Sequence, residues 1–194
     1  MFDEAIQLLQ RPGAIGVIPT DTIYGVVARA ADQSAVERLY HLKQRDRKTG
    51  TTIASNIDQL VSLGLKRRYL KAVEHFWPGA VSVEIPCGGE LSYLHHGLNR
   101  MAVRIPDDQA LKELLISCGP LMTSSANKKG EPPSNTIAEA RAYFGESVDF
   151  YVDGGDLSGR QPSTLLRVVD DAIEILREGA VSIDEATGRY DARA

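Results

Sequence analysis

Short apolar runs that stop abruptly at a proline or at a cluster of hydroxyl residues recur along this 194-residue sequence, and they limit the folds open to it. Residues 14–18 end at Pro19, residues 101–105 end at Pro106, and residues 121–123 run into Ser124-Ser125-Ala126-Asn127. Runs this short, bounded by turn formers, read as buried strands. Helical stripes separate them. Phe2, Ile6 and Leu9 form one, stopped by Pro12-Gly13; Val36, Leu39, Tyr40 and Leu42 form another behind Asp32, a candidate N-cap. Further helices are predicted over 58–63, 66–76 and 107–117. A capping box, Thr136 with Glu139, starts a last one that reaches Phe144. Residues 51–54, 81–85, 150–152, 164–168 and 172–176 complete the strands, and Asp170-Asp171 joins the last two as a hairpin. Strands and helices mix without a clean repeating βαβ unit. The pattern predicts an α/β fold, a twisted mixed sheet flanked by helices. Residues 1–180 read as one domain and residues 181–194 as a polar, loosely held tail.

Composition excludes several classes. A hydrophobic fraction of 43% with 25% charged residues is that of a globular protein, so disorder is not the main state. A net charge of -4 argues against a general nucleic-acid coat, although a local basic pocket is compatible with it. Cys87 and Cys118 lie far apart, with neither zinc spacing nor a disulfide framework. The acidic start Met1-Phe2-Asp3-Glu4 lacks the basic region of a signal peptide, and no run approaches the roughly 18 apolar residues that cross a bilayer. The expectation is a cytoplasmic protein with no membrane partner.

Several stretches carry chemistry. Pro19-Thr20-Asp21-Thr22-Ile23-Tyr24-Gly25 follows a buried strand and reads either as a ligand-binding hydroxyl cluster or as a polar turn. Lys43, Arg45, Arg47 and Lys48 either gather phosphates or complement a helix C-terminus; Lys43 and Arg45 converge only if the helix ends there. Thr123 to Asn127 offers neutral donors and an amide, or simply a strand-ending turn. Arg104, inside Met-Ala-Val-Arg-Ile-Pro, requires a counter-charge, either an internal acid or a ligand carboxylate. Pro162-Ser163-Thr164 precedes a strand and Arg177 ends the next. Lys66, Arg67, Arg68 and Lys71 read as a solvated helix face, with RNA docking as the other reading, and His95-His96 lacks metal-ligand spacing. Cations and hydroxyls without a readable nucleophile suit phosphoryl or nucleotidyl chemistry, where positioning and charge stabilisation dominate.

In this order, residues 19–25, Leu42-Lys43-Gln44-Arg45, Phe76-Trp77-Pro78-Gly79, Val103-Arg104-Ile105-Pro106, Thr123 to Asn127, Gly130-Glu131-Pro132-Pro133, Pro162-Ser163-Thr164 and Leu176-Arg177-Glu178-Gly179 resemble the YrdC-like threonylcarbamoyl-adenylate synthases. The resemblance implies a twisted mixed sheet lining a deep electropositive cavity. It implies that L-threonine, bicarbonate and ATP, with Mg²⁺, give threonylcarbamoyl-AMP and pyrophosphate. A separate transferase complex then uses the product to modify tRNA. By the same resemblance Lys43 and Arg45 are catalytic. Lys43, Arg45, Arg47, Ser125, Asn127, Pro133, Ser134 and Arg177 bind ATP, and Thr20, Thr52, Arg104, Thr123 and Ser163 hold threonine; no metal ligand is implied. Asp46 stands where the family usually has proline, and Arg100 where a small hydroxyl residue is expected. The alternatives are adenylation of another carbamoyl substrate on the same fold and a non-catalytic RNA-binding module.

Overall fold

The computed structural model describes residues 1–44, 49–170, 172–184 and 188, and the backbone of 190–192. Helix α1 (Asp3–Leu9) leads into the hairpin β1 (Ile15–Ile18) and β2 (Gly25–Arg29), then α2 (Gln33–Leu42) and β3 (Thr51–Ile53). Helices α3 (Ile57–Leu63) and α4 (Arg67–Ala72) come before β4 (Val81–Pro86), α5 (Ser92–His95) and β5 (Arg100–Arg104). After these come α6 (Gln109–Cys118), β6 (Leu121–Ser125), α7 (Ile137–Phe144), β7 (Phe150–Tyr151), β8 (Thr164–Val169), β9 (Ala172–Arg177), β10 (Val181–Ile183) and β11 (Tyr190–Ala192).

Local side chains start the helices. The Asp32 carboxylate accepts from Ala35 N–H, Asn56 caps α3 through Gln59 N–H, and Asp108 caps α6 through Leu111 N–H. Thr136 caps α7 through Glu139 N–H, but the Glu139 carboxylate reaches back to Asn135 N–H, one residue before the position a standard capping box uses. Burial pushes the Asp32 carboxyl up. Hydrogen bonds from Ser34, Gly13 and Ala35 outweigh that and hold it below the ordinary carboxylate value. A depressed folded value contributes stability above the unfolded one and is lost as pH falls through the folded one. Asp32→Ala is therefore expected to cost about 1 kcal/mol at neutral pH. The cost corresponds to a drop of about 2–4 °C in melting temperature, and the gap to wild type should begin to narrow as the melts are taken below about pH 4, the unfolded value, and close only below the folded one.

The strands form one nine-stranded sheet in the order β7-β1-β2-β6-β3-β5-β4-β8-β9. β1–β7, β3–β5 and β4–β8 are parallel and the other neighbours antiparallel, so the sheet is mixed. Strand β2 is not part of the sequence reading. Val26 and Val27 are both buried, on opposite faces, so β2 has no polar alternation to mark it.

Side-chain alternation divides the sheet faces. On one face Val17, Val26, Met122, Val103 and Val83 pack beneath α2 and its neighbours. On the other, Ile18, Val27, Ile53 and Leu121 pack beneath α1 and α6. Stepping by two along the strands of this second face, the apolar residues give way to Thr123 and Ser125 on β6, Thr51 on β3 and Ala102 on β5. A cleft opens over that polar half.

The reading of a loosely held tail fails at its start. Val181 and Ile183 are buried, β10 pairs with β11, and Thr164 exchanges hydrogen bonds with Val181. Val-Ser-Ile is too short a pattern to register as a strand against the polar residues around it.

Candidate active-site cleft

The cleft is open to solvent and encloses about 130 Å³. Thr20, Thr22, Thr51, Glu84, Ala102, Arg104, Thr123, Ser125, Ser163 and Arg177 are among its lining. Its floor depends on close backbone approach: a Cβ on Gly25 would stand 2.5 Å from Thr123 Oγ1. Opposite, a Cβ on Gly179 would stand 2.2 Å from the Pro162 carbonyl, which accounts for the glycine after Arg177.

Arg104 ends β5 with a side chain only 3% exposed. Its counter-charge is internal: Nη1 lies 2.5 Å from both carboxylate oxygens of Asp21. Nε is buried and has no hydrogen-bond partner among the described residues. Among the described residues Nη1 is thus the one nitrogen of this guanidinium with a hydrogen-bond partner, and the Nε–Nη2 edge, the fork that receives a carboxylate in bidentate fashion, has none. Asp21 is held by its own turn. The Thr20 hydroxyl donates to Ile23 O at 2.7 Å and accepts from Thr22 N–H at 3.2 Å. Thr20 therefore lines the cleft, but its hydroxyl is spent on the turn. Tyr24, fully buried, donates to Gly155 O and accepts from Gly154 N–H, both at 2.8 Å, which ties the 154–155 segment to the cleft.

Beside Arg104, Ser163 Oγ is 2.8 Å from Ser82 Oγ, and Arg177 Nη2 donates to Ser163 O at 2.7 Å. Ser163 and Arg177, expected to serve different substrates, therefore meet in one wall.

Behind Ser125, α2 ends at Leu42, Lys43 is its C-cap, and Gln44 has φ +48°; Lys43 and Asn127 are outside the cleft lining. The helix does end where convergence of the cations requires it. Lys43 is 3% exposed and donates to Ser125 O (2.7 Å), to Asn127 Oδ1 (2.8 Å) and to Asn127 O. Ser125 Oγ also donates to Asn127 Oδ1 at 2.7 Å. Lys43, Ser125 and Asn127 form one unit. Arg45, Asp46 and Arg47 lie outside the described residues.

Some expected positions fall elsewhere. Thr52 faces the core with Val103 and Met122, its hydroxyl buried without a partner among the described residues; its neighbour Thr51 lines the cleft. A one-residue step reverses the face of a strand. Thr52→Val should therefore raise stability by about 1 kcal/mol, since an unsatisfied buried hydroxyl costs about 1–3 kcal/mol. Thermal melts, with threonine titrations as the control, check this; a loss of threonine affinity would return Thr52 to the site. Ser134 is buried and donates to Ala126 O at 2.6 Å, so it braces the loop rather than lining the cleft. Pro133 is exposed and also outside the lining. Arg100 is exposed, its Nη1 3.9 Å from Glu84.

Glu84 is absent from the sequence expectations. It is the one carboxylate in the described lining, held by Arg167 at 2.8 Å. The alternation Val81-Ser82-Val83-Glu84-Ile85 holds the signal that puts Ser82 and Glu84 on one face.

The remaining polar groups have structural roles. His95 Nδ1 accepts from Gly97 and Asn99 N–H and its Nε2 is 3.0 Å from Gly88 O, which ties a loop. Arg67 and Lys71 pair with Asp58 and Glu74 in solvent. Burial, then Glu90, pushes the Cys87 thiol up to about 11, and burial raises that of Cys118, so neither is a nucleophile at neutral pH. Among the described residues no group of three or more histidine, cysteine or carboxylate side chains could hold a metal, and no helix is long and apolar enough to cross a membrane.

Known proteins resemble this chain in sequence and fold. A putative threonylcarbamoyl-AMP synthase of Mycobacterium leprae is 34% identical over 176 residues, covering 88% of this chain and 80% of the relative. The threonylcarbamoyl-AMP synthase of Chromohalobacter salexigens is 36% identical over 167 residues, covering 84% and 89%. The crystal structure of P. abyssi Sua5 complexed with L-threonine superposes with a TM-score of 0.83 at 25% identity, covering 94% of this chain. This chain spans 55% of that longer one. The family model Sua5_yciO_yrdC, described as "Telomere recombination", matches residues 8–179, and the chain belongs to the Sua5/YciO/YrdC family.

Proposed function

We propose that this chain is a threonylcarbamoyl-AMP synthase that makes the activated intermediate for tRNA modification in the cytoplasm. The observation that carries the reading is the Arg104 guanidinium, buried at the head of a hydroxyl-lined cleft with its Nε edge unpaired. An α-carboxylate is the ligand such an edge receives best. The relatives named for this activity support the same reading.

The substrates are L-threonine, bicarbonate and ATP. The threonine amine takes up bicarbonate carbon with loss of water. A carbamate oxygen then forms a bond to the α-phosphorus of ATP while the α–β bridging bond breaks, and pyrophosphate leaves with the electron pair. Arg104 holds the threonine carboxylate, with the Thr51, Thr123 and Ser163 hydroxyls along the floor and wall. Ser125 lines the cleft where the phosphates would lie, Lys43 adds positive charge from behind it while bound to Ser125 O and Asn127, and Arg177 braces the wall beside Ser163. A fixed ammonium stabilises charge that grows on the leaving phosphates. Mg²⁺ would enter with ATP, held mainly by its phosphates and offsetting their charge; Glu84 is already engaged by Arg167. The adenylate passes to a separate transferase complex.

Pyrophosphate release is the test, measured with ATP and Mg²⁺ and with threonine and bicarbonate each omitted in turn. Dependence on both small substrates is the expected result. ATP turnover indifferent to threonine would reassign the carbamoyl substrate. Folded protein without turnover, but with salt-sensitive tRNA binding, would replace the enzyme with an RNA-binding module.

A further inference from the structure

The turn 19–23 builds a support that the reaction itself does not explain. Asp21 is not part of the cleft lining, yet it is only 8% exposed and both its carboxylate oxygens face one nitrogen of Arg104. The Thr20 hydroxyl, accepting from Thr22 N–H, donating to Ile23 O and lying 3.0 Å from Thr22 Oγ1, leaves that turn little freedom. We propose that Asp21 is the positioning residue of the amino-acid subsite: from behind the cleft it fixes the Arg104 guanidinium so that only the Nε–Nη2 edge meets a substrate carboxylate. The inference rests on the reading that Arg104 receives that carboxylate.

Two physical arguments support it. A buried guanidinium without a counter-charge is strongly disfavoured, so Arg104 would otherwise swing towards water or need a solvent anion. A guanidinium with all its edges open also accepts a carboxylate in several orientations. Occupying Nη1 leaves one bidentate geometry, which fixes the direction from the carboxylate to the reacting amine. Asp21 touches no substrate in this arrangement and acts only through Arg104.

The test compares wild type and Asp21→Asn by calorimetric titration, with L-threonine and separately with a non-hydrolysable ATP analogue. The near-isosteric amide keeps an acceptor and removes the charge. The expected result is a threonine affinity at least tenfold weaker, with analogue affinity unchanged and, in turnover, a raised KM for threonine at a nearly unchanged KM for ATP. Equal threonine affinity in a folded variant overturns the proposal, and so does an equal loss for both ligands. Wild type that fails to bind threonine at all would instead overturn the carboxylate reading, so the two failures are distinct. If Asp21→Asn does not fold, wild type carries the test through the Arg104 Nε–H resonance, identified by its absence from Arg104→Lys. A resonance already separate from those of exposed arginines, and moving when threonine is added, supports a fixed guanidinium. One averaged with the exposed arginines before addition overturns it.

Discussion

Lys43→Ala is expected to reduce threonine-dependent pyrophosphate release by a factor on the order of 10²–10³, the usual effect of removing one preorganised group aimed at developing charge. The substitution deletes more than a charge. Lys43 binds Ser125 O, Asn127 Oδ1 and Asn127 O, so its loss also releases the chain that follows β6. A stability loss of about 1–3 kcal/mol should accompany the catalytic one. Lys43→Arg separates the two. It retains a cation but places a planar fork where a compact ammonium meets three carbonyl oxygens. Melting temperature should largely recover while turnover stays low. A Lys43→Ala protein that keeps wild-type turnover would remove Lys43 from the chemistry and leave it as a loop anchor.

Arg104 was legible because a charge inside an apolar strand needs an explanation wherever it occurs. Its partner was not, because Asp21 lies 83 residues away and only the approach of the 19–23 turn to β5 joins them. The helix caps at Asp32 and Thr136 were legible because they are local. The face of β3 was not. A strand of three residues, Thr51–Ile53, contains too little alternation to fix its phase, and the hydroxyl assigned to the cleft turned out to be its neighbour's. Strand β2 escaped for the opposite reason: buried on both faces, it has no alternation at all. Ser134 shows a further limit. Its place beside the 125–127 segment could be inferred, but whether its hydroxyl points at a ligand or at Ala126 O is decided by the backbone path, which no residue type reports.

Arg104→Met should destabilise the protein by about 3–5 kcal/mol, the cost of leaving one member of a buried ion pair uncompensated. Both side chains are under a tenth exposed, so solvent does little to soften that figure. At this chain length it amounts to a fall in melting temperature on the order of 10 °C. The double variant Asp21→Asn with Arg104→Met removes both charges and should recover part of the loss, because no uncompensated charge then remains buried. Threonine binding should not recover, since the double variant lacks the guanidinium that receives the carboxylate. Chemical denaturation of the four proteins gives the coupling between the two residues, and threonine titration of the same four gives the function. Stability restored without binding would show that the pair compensates itself structurally while Arg104 alone meets the ligand. Binding restored along with stability would mean that the carboxylate is held elsewhere in the cleft, with Arg177 beside Ser163 the next cation to test.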